Sequence, residues 1–178
     1  MTEKPRTGQR VLIIGCSGSG KTVLAHQIAQ RVDAPITHLD AIYYDSAWQP
    51  IAADEFARRQ RDLTAGERWI IEGNYASTLA VRLARADAVI FLDLPAWTCL
   101  WGIAQRRWRY RGGQHDDGVY DRLNWSVITY VLGYRRRMRP RVLRLVAAYE
   151  EQVSFVRLTS RRHVQRFLGS LSDAGSAS

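Results

Sequence analysis

Residues 11–32 read VLIIGCSGSGKTVLAHQIAQRV: four apolar residues, a run of glycine and serine, Lys21-Thr22, and then helical spacing. The pattern G-x-x-x-x-G-K-[ST] is met by Gly15, Gly20, Lys21 and Thr22, with an apolar strand before it and an amphipathic helix after it. Each part has a mechanical reason. Gly18 and Gly20 permit the backbone angles that turn successive N–H groups onto phosphate oxygens. The helix that follows points its unpaired N–H groups and positive dipole end at the same spot. Lys21 reaches β and γ phosphates, and the Thr22 hydroxyl is a ligand for Mg²⁺. Gly15, Cys16, Ser17, Gly18, Ser19, Gly20, Lys21 and Thr22 are therefore the expected nucleotide loop, with the Cys16 side chain packing away from the phosphate. The loop alone does not define a reaction, because kinases, switches, motors and non-hydrolysing binders share it.

Outward from the loop, short apolar runs alternate with amphipathic segments. Strands are expected at Arg10–Ile14, Pro35–Leu39, Trp69–Glu72, Ala88–Leu92 and Val153–Leu158, each nearly continuous in apolar residues as in strands buried on both faces. Helices are expected at Thr22–Val32, Glu55–Thr64 (capped by Asp54), Pro95 to about Tyr110, Leu123–Tyr134, Arg141–Gln152, and from Ser160 to Leu168. Such alternation predicts a parallel α/β sheet. One domain over residues 1–168 and a disordered small-residue tail over 169–178 are expected.

With 178 residues and 46% hydrophobic content, the chain can bury one ordinary core. No apolar stretch is long enough to cross a bilayer, and the polar segment before Val11 has no signal-peptide core. Two cysteines make no disulfide framework, which points to a reduced, cytoplasmic setting. The net charge is +9 and the basic residues are nearly all arginine, a planar fork suited to phosphate. Anionic substrates and nucleic acid both remain open on that ground.

Ligands of open parallel sheets gather beyond the carboxyl ends of the strands. After the second strand, "HLDAIYYDSAW" places Asp40 near the loop mouth, either to orient or deprotonate an acceptor hydroxyl or to shape a turn. Tyr43, Tyr44 and Trp48 follow, to stack on an acceptor or to pack beneath a flap. After the third strand, Glu72 is a candidate for the Mg²⁺ site, Asn74 and Tyr75 face the cleft, and Arg82 reaches acceptor phosphate or pairs on the surface. Asp93 ends the fourth strand and reads as its polar terminus. The stretch "AQRRWRYRGGQHDDGVYD" carries Arg106, Arg107, Arg109 and Arg111 into a Gly-Gly loop with the composition of a lid, about residues 106–122. Mobile arginines of this kind neutralise a transferred phosphoryl group and exclude water; the same stretch also suits a solvated face or nucleic acid. A second cluster, "YRRRMRPR", includes Arg137 and faces the same pocket if its helix packs antiparallel to the first.

Together these elements resemble the nucleoside-monophosphate-kinase-like P-loop proteins, and in particular the adenylate-kinase-related topology modulation proteins. The resemblance rests on "GCSGSGKT", "THLDAIYY", "WQP", "RWIIEGNY", "RLARADAVIFLDLP", "RRWRYRG" and "YRRRMRPR", spanning Val11 to about Leu168. It implies a three-layer P-loop sandwich, with a five-stranded parallel sheet in the order 2-3-1-4-5 and a small arginine-rich lid. It further implies ATP at Gly15–Thr22, Mg²⁺ at Thr22 and Glu72, and phosphoryl transfer involving Lys21, Asp40, Arg106 and Arg107. The acceptor would lie among Asp40, Trp48, Asn74, Tyr75, Arg82, Arg111 and Arg137, and the segment Thr159–Arg162 near the nucleotide base. The chain departs from relatives at Glu72, where they carry Asp, and at Ser46-Ala47, where they carry Pro-Gly. The reading that follows is ATP-dependent transfer to a small acceptor, with the arginine content leaning towards one that already bears a phosphate. An ATP-binding regulator or nucleic-acid-binding protein is the second reading.

Overall fold

The computed structural model describes residues 9–110 and 125–175. In chain order it contains β1 (Arg10–Gly15), α1 (Lys21–Val32), β2 (Ile36–His38), α2 (Leu39–Tyr43), α3 (Ala53–Thr64), β3 (Trp69–Glu72) and α4 (Leu79–Leu83). β4 (Ala88–Leu92), α5 (Ala96–Tyr110), α6 (Trp125–Ala147), β5 (Ser154–Leu158) and α7 (Arg161–Gly175) complete it. All pairings are parallel and the order is β2-β3-β1-β4-β5, the α/β sandwich of the P-loop proteins.

Alternation along the strands divides the core into two layers. Leu12, Ile14, Ile71, Val89 and Phe91 face a layer built from α3, α4, α5 and α6. Val11, Ile13, Ile70, Ile90 and Leu92 face the opposite layer, where α1 and α7 bring Leu24, Ile28, Val164 and Phe167. The three central strands are buried except for Arg10 at the start of β1, whereas β2 is half-buried and β5 alternates with exposure, as sheet edges do. From β1 the chain turns to β2 on one side, and β4 lies on the other. The crevice this reversal opens at the carboxyl end of β1 is where the glycine loop sits.

Three expectations change. The helices expected at Leu123–Tyr134 and Arg141–Gln152 are one 23-residue helix, α6, with Pro140 inside it. A mid-helix proline costs about 3 kcal/mol. Val131, Tyr134, Val142 and Val146 nonetheless hold one buried stripe in phase across it, and each buried valine contributes about 1.5–3 kcal/mol in return. The last helix does not stop at Leu168 but runs to Gly175, because Leu171 continues the stripe of Val164, Phe167 and Leu168 into the core. The disordered tail expected from residue 169 is helical to that point. Asp54 is not the cap of α3: Ala52 holds that position without a side-chain bond, and Asp54 sits in the first turn, where its charge suits the helix dipole. α2 and α4, five residues each, lie where no helix is expected, and α2 takes Leu39 from the expected second strand.

Candidate active site

The glycine loop bears directly on α5. Gly18 has φ +74° and Gly20 φ +93°, both left-handed. A Cβ on Gly18 would stand 2.1 Å from the Cys99 carbonyl oxygen, and one on Gly102 would stand 2.2 Å from the Gly18 oxygen. Ser19 N donates to Cys16 O at 3.1 Å, closing the turn, and Arg161 Nη1 donates to Ser19 O at 3.1 Å from outside. Lys21 Nζ lies over the loop, donating to Cys16 O at 3.3 Å. Gly20 caps α1 without a side chain, so nothing on the cap competes with a ligand for the first-turn N–H groups. The Ser19 hydroxyl is fully buried and finds no hydrogen-bond partner among the described residues. Open donors around a glycine cradle fit a polyphosphate. Ser17 to Thr22 line the cleft; Gly15 packs on Leu92, and the Cys16 side chain is buried in the core beside Cys99, away from it. The hydrogen bond to Cys99, and then burial, push the Cys16 thiol pKa up.

Glu72, at the end of β3, connects this loop to the sheet. Its Oε1 accepts from the Thr22 hydroxyl at 3.0 Å and from His38 Nδ1 at 2.9 Å. Burial by itself raises the carboxyl's pKa. The His38 hydrogen bond, the charge of Lys21 and the Thr22 hydroxyl outweigh that and hold Glu72 below the usual carboxylate range. His38 faces Glu72 because β2 and β3 pair in register at these two positions. No group of three or more His, Cys, Asp or Glu side chains forms a cation cage among the described residues. One hydroxyl and one carboxylate beside a phosphate cradle instead suit Mg²⁺, which keeps waters and takes substrate phosphates as ligands.

The opposite wall comes from α2 and the segments around it. Asp40 stands in the first turn of α2, and its Oδ1 accepts the Tyr75 hydroxyl at 2.6 Å. Burial, then the charge of Asp40 and that hydrogen bond, push the Tyr75 phenol up and keep it protonated. Tyr43, Phe56 and Tyr75 pack ring on ring at 4.7–5.0 Å beneath. Trp48 lines the cleft with its ring 5.5 Å from that of Tyr44.

Arg82 and Asn74 do other work than the acceptor contacts expected of them. Arg82 is wholly buried and spends its guanidinium on the carbonyls of Gly73 (3.0 Å), Asn74 (2.9 Å) and Tyr75 (3.0 Å). Burial lowers its pKa to about 9, so it stays a cation at neutral pH. Asn74 Oδ1 accepts from Gly15 N at 3.0 Å while its Nδ2 donates to the Tyr130 hydroxyl at 3.1 Å, tying β1 to α6. Both residues fix the turn that carries Glu72 and Tyr75 to opposite sides of the cleft.

The arginine clusters part company. Arg106 is half-buried and lines the cleft with Trp97, Trp101 and Trp108, while Arg107 is exposed and does not. Arg111 and the lid segment past residue 110 lie outside the described residues. The second cluster does not turn to the same pocket: Arg137 is exposed, and Arg139 Nε binds Asp93 Oδ2 at 2.9 Å. Arg157 Nε joins it at 2.8 Å and Arg135 stands 4.0 Å away. Arg161 and Arg162, at the start of α7, line the cleft as the segment expected near the base. The cleft as a whole has a volume of about 1680 Å³.

No family model matches the chain, and no curated protein sequence matches it. Among solved structures, shikimate kinase from Acinetobacter baumannii in complex with shikimate matches with a TM-score of 0.60 at 14% identity, over 94% of this chain and 93% of that one. A sugar kinase from Janibacter sp. HTCC2649 matches at 0.55 and 19% identity, over 95% and 97%. Shikimate kinase from Bacteroides thetaiotaomicron matches at 0.52 and 16%, over 93% and 96%. Likeness at such identities is one of fold: the chain has the P-loop kinase fold, over nearly its whole length.

Proposed function

We propose that the protein is an ATP-dependent kinase that moves the γ-phosphoryl group to a hydroxyl of a small acceptor. The observation that carries this reading is one cleft with two unlike walls: the glycine loop with Thr22 and Glu72 on one, and Asp40 hydrogen-bonded to Tyr75 on the other. A switch or a binder needs only the first wall. In the transfer, the acceptor oxygen bonds to the γ-phosphorus, the bond to the β–γ bridging oxygen breaks, and Asp40 takes the hydroxyl proton. Tyr75 fixes which face of the Asp40 carboxylate is free to do so. Lys21 and Arg106 neutralise charge on the phosphoryl oxygens. Mg²⁺, held by the Thr22 hydroxyl with Glu72 beside it, would supply further charge neutralisation between the phosphates. The fold neighbours, a shikimate kinase and a sugar kinase, agree with a small hydroxylated acceptor. This reading takes the chain as a relative of the topology modulation proteins, acting in the cytoplasm, on the motifs quoted above.

The test is ADP release from Mg·ATP across a panel of acceptors, with Lys21→Ala beside it. Turnover that falls about 10²–10³-fold in the variant is the expected result; undiminished turnover would falsify the mechanism. A second reading draws on Trp97, Trp101 and Trp108, which are 72%, 63% and 86% exposed on the helix that bears Arg106 and Arg107. Aromatics interleaved with arginine suit stacked bases of single-stranded nucleic acid. That reading requires ATP binding without transfer, and oligonucleotide affinity that drops steeply with salt.

A further inference from the structure

We infer that the acceptor is an uncharged polyhydroxylated ring, seated on the Trp48 indole with a hydroxyl at Asp40; the inference rests on the phosphoryl-transfer reading above. It departs from the phosphate-bearing acceptor that the arginine content suggested, and the reason is where the arginines go.

Residues 39–87 build the acceptor wall and contain six arginines and no lysine. Arg58 and Arg59 bind Glu55 on the exposed side of α3, and Arg68 reaches Asp33. Arg61 and Arg85 lie in a separate shallow depression between α3 and α4, and Arg82 is buried on backbone carbonyls. None of the six lines the cleft. Basic side chains that do, among the described residues, are Lys21, Arg106, Arg161 and Arg162, all on the loop, α5 or α7. The cleft is thus polarised: these cations and Glu72 on the nucleotide side, and the carboxylate of Asp40 towards the acceptor. A phosphate monoester placed at Asp40 meets like charge with no cation on that wall among the described residues. A hydroxyl donates to the same carboxylate in a charge-assisted hydrogen bond.

The aromatic half of the wall is built, not incidental. Trp48 holds φ +57°, a conformation unfavourable for a bulky side chain. The chain maintains it through a turn in which Asp45 Oδ1 accepts from Ala47 N at 2.9 Å and Gln49 N at 2.8 Å. Trp48 N donates to Asp45 O at 3.0 Å, and Tyr44 bridges to Pro50 beyond. Strain held this firmly beside a cleft serves to aim the side chain. Trp48 and Asp40 line the same cleft, and an indole together with a carboxylate matches a ring with an apolar C–H face and hydroxyls at its rim.

The experiment uses the full chain with Mg·ATP, offered uncharged hexoses and cyclitols and, in parallel, the phosphate monoesters of the same rings. Binding of each is measured by calorimetry in the presence of a non-hydrolysable ATP analogue. Trp48→Gly is the diagnostic variant, because glycine accepts the left-handed backbone and only the ring is lost. Transfer to an uncharged ring is expected, with KM raised about 10–100-fold by Trp48→Gly and kcat little changed; Trp48→Phe should restore most of the affinity. Better kcat/KM for the phosphate monoesters would overturn the acceptor assignment and leave the kinase reading standing. An uncharged ring that binds, is weakened by Trp48→Gly, yet is never phosphorylated would support the assignment and overturn the kinase reading. Failure of every uncharged ring to bind or react would overturn the assignment outright.

Discussion

Glu72 and Asp93 stand at the ends of the two strands that flank β1, both nearly buried, and they are occupied differently. Glu72 looks across to the glycine loop, where the Thr22 hydroxyl and His38 are its partners. Asp93 N follows the sheet to Leu158 O, and its carboxylate is taken by Arg139 and Arg157. A strand-end carboxylate is therefore left facing the cleft or tied into the core according to what the next layer brings to it. α1 brings a hydroxyl and a lysine to Glu72, leaving room for a cation. α6 and β5 bring guanidinium groups to Asp93, which close that possibility.

The largest effect that would sharpen this contrast is on stability. The double variant Arg139→Met, Arg157→Met strands a buried carboxylate and should cost about 3–5 kcal/mol, read as a lower urea midpoint. An unchanged midpoint would mean that Asp93 does not need its arginines, and the contrast breaks. Next comes Glu72→Gln, which keeps the shape and removes the charge. Turnover should fall about 100-fold, equivalent to about 2.7 kcal/mol, with a drop in the urea midpoint at neutral pH smaller than that of the arginine double variant; a midpoint lowered as far as in that variant with turnover kept would make Glu72 structural like Asp93. A third effect is acid sensitivity. Folding lowers the Glu72 pKa, so its contribution is fully present above the unfolded value of about 4.3 and is lost as pH falls through the lower folded value. Glu72→Gln should therefore flatten the stability profile below about pH 4.3, and an unaltered slope in acid titration would contradict the shift. Smallest is Arg137→Ala: the side chain is exposed and away from the cleft, so midpoint and turnover should both stay within about 0.5 kcal/mol of the parent.

Why the places of Glu72 and Asp40 in the cleft could be read from the sequence, and the arginine partners of Asp93 could not, follows from the range of the interactions. The five strands, the glycine loop and the Ser160 cap, whose hydroxyl accepts from His163 N at 3.2 Å, are set by neighbours within a few residues. Strand-end candidates need only the rule that parallel sheets place ligands at one edge. Arg82 instead turns on three carbonyls of one particular turn, and Asp93 on partners 46 and 64 residues further along the chain. His38 became visible as a site residue only through its register with Glu72. The expected helices Leu123–Tyr134 and Arg141–Gln152 differ in the other direction: a buried stripe on either side of Pro140 joins them into one. Five-residue helices such as α2 leave too few turns for periodicity to register.

The contact of Gly18 with Cys99 and Gly102 has a mechanical consequence. Most loops rest on a helix through side chains, which yield like padding. Here peptide plane meets peptide plane, so a displacement of the loop by a fraction of an ångström is delivered to α5 undamped. Arg106 lies four residues past Gly102, about 6 Å along the axis. The glycine loop and that arginine thus belong to one stiff strut, and on the proposed reading a phosphate filling the cradle would reposition the Arg106 cation.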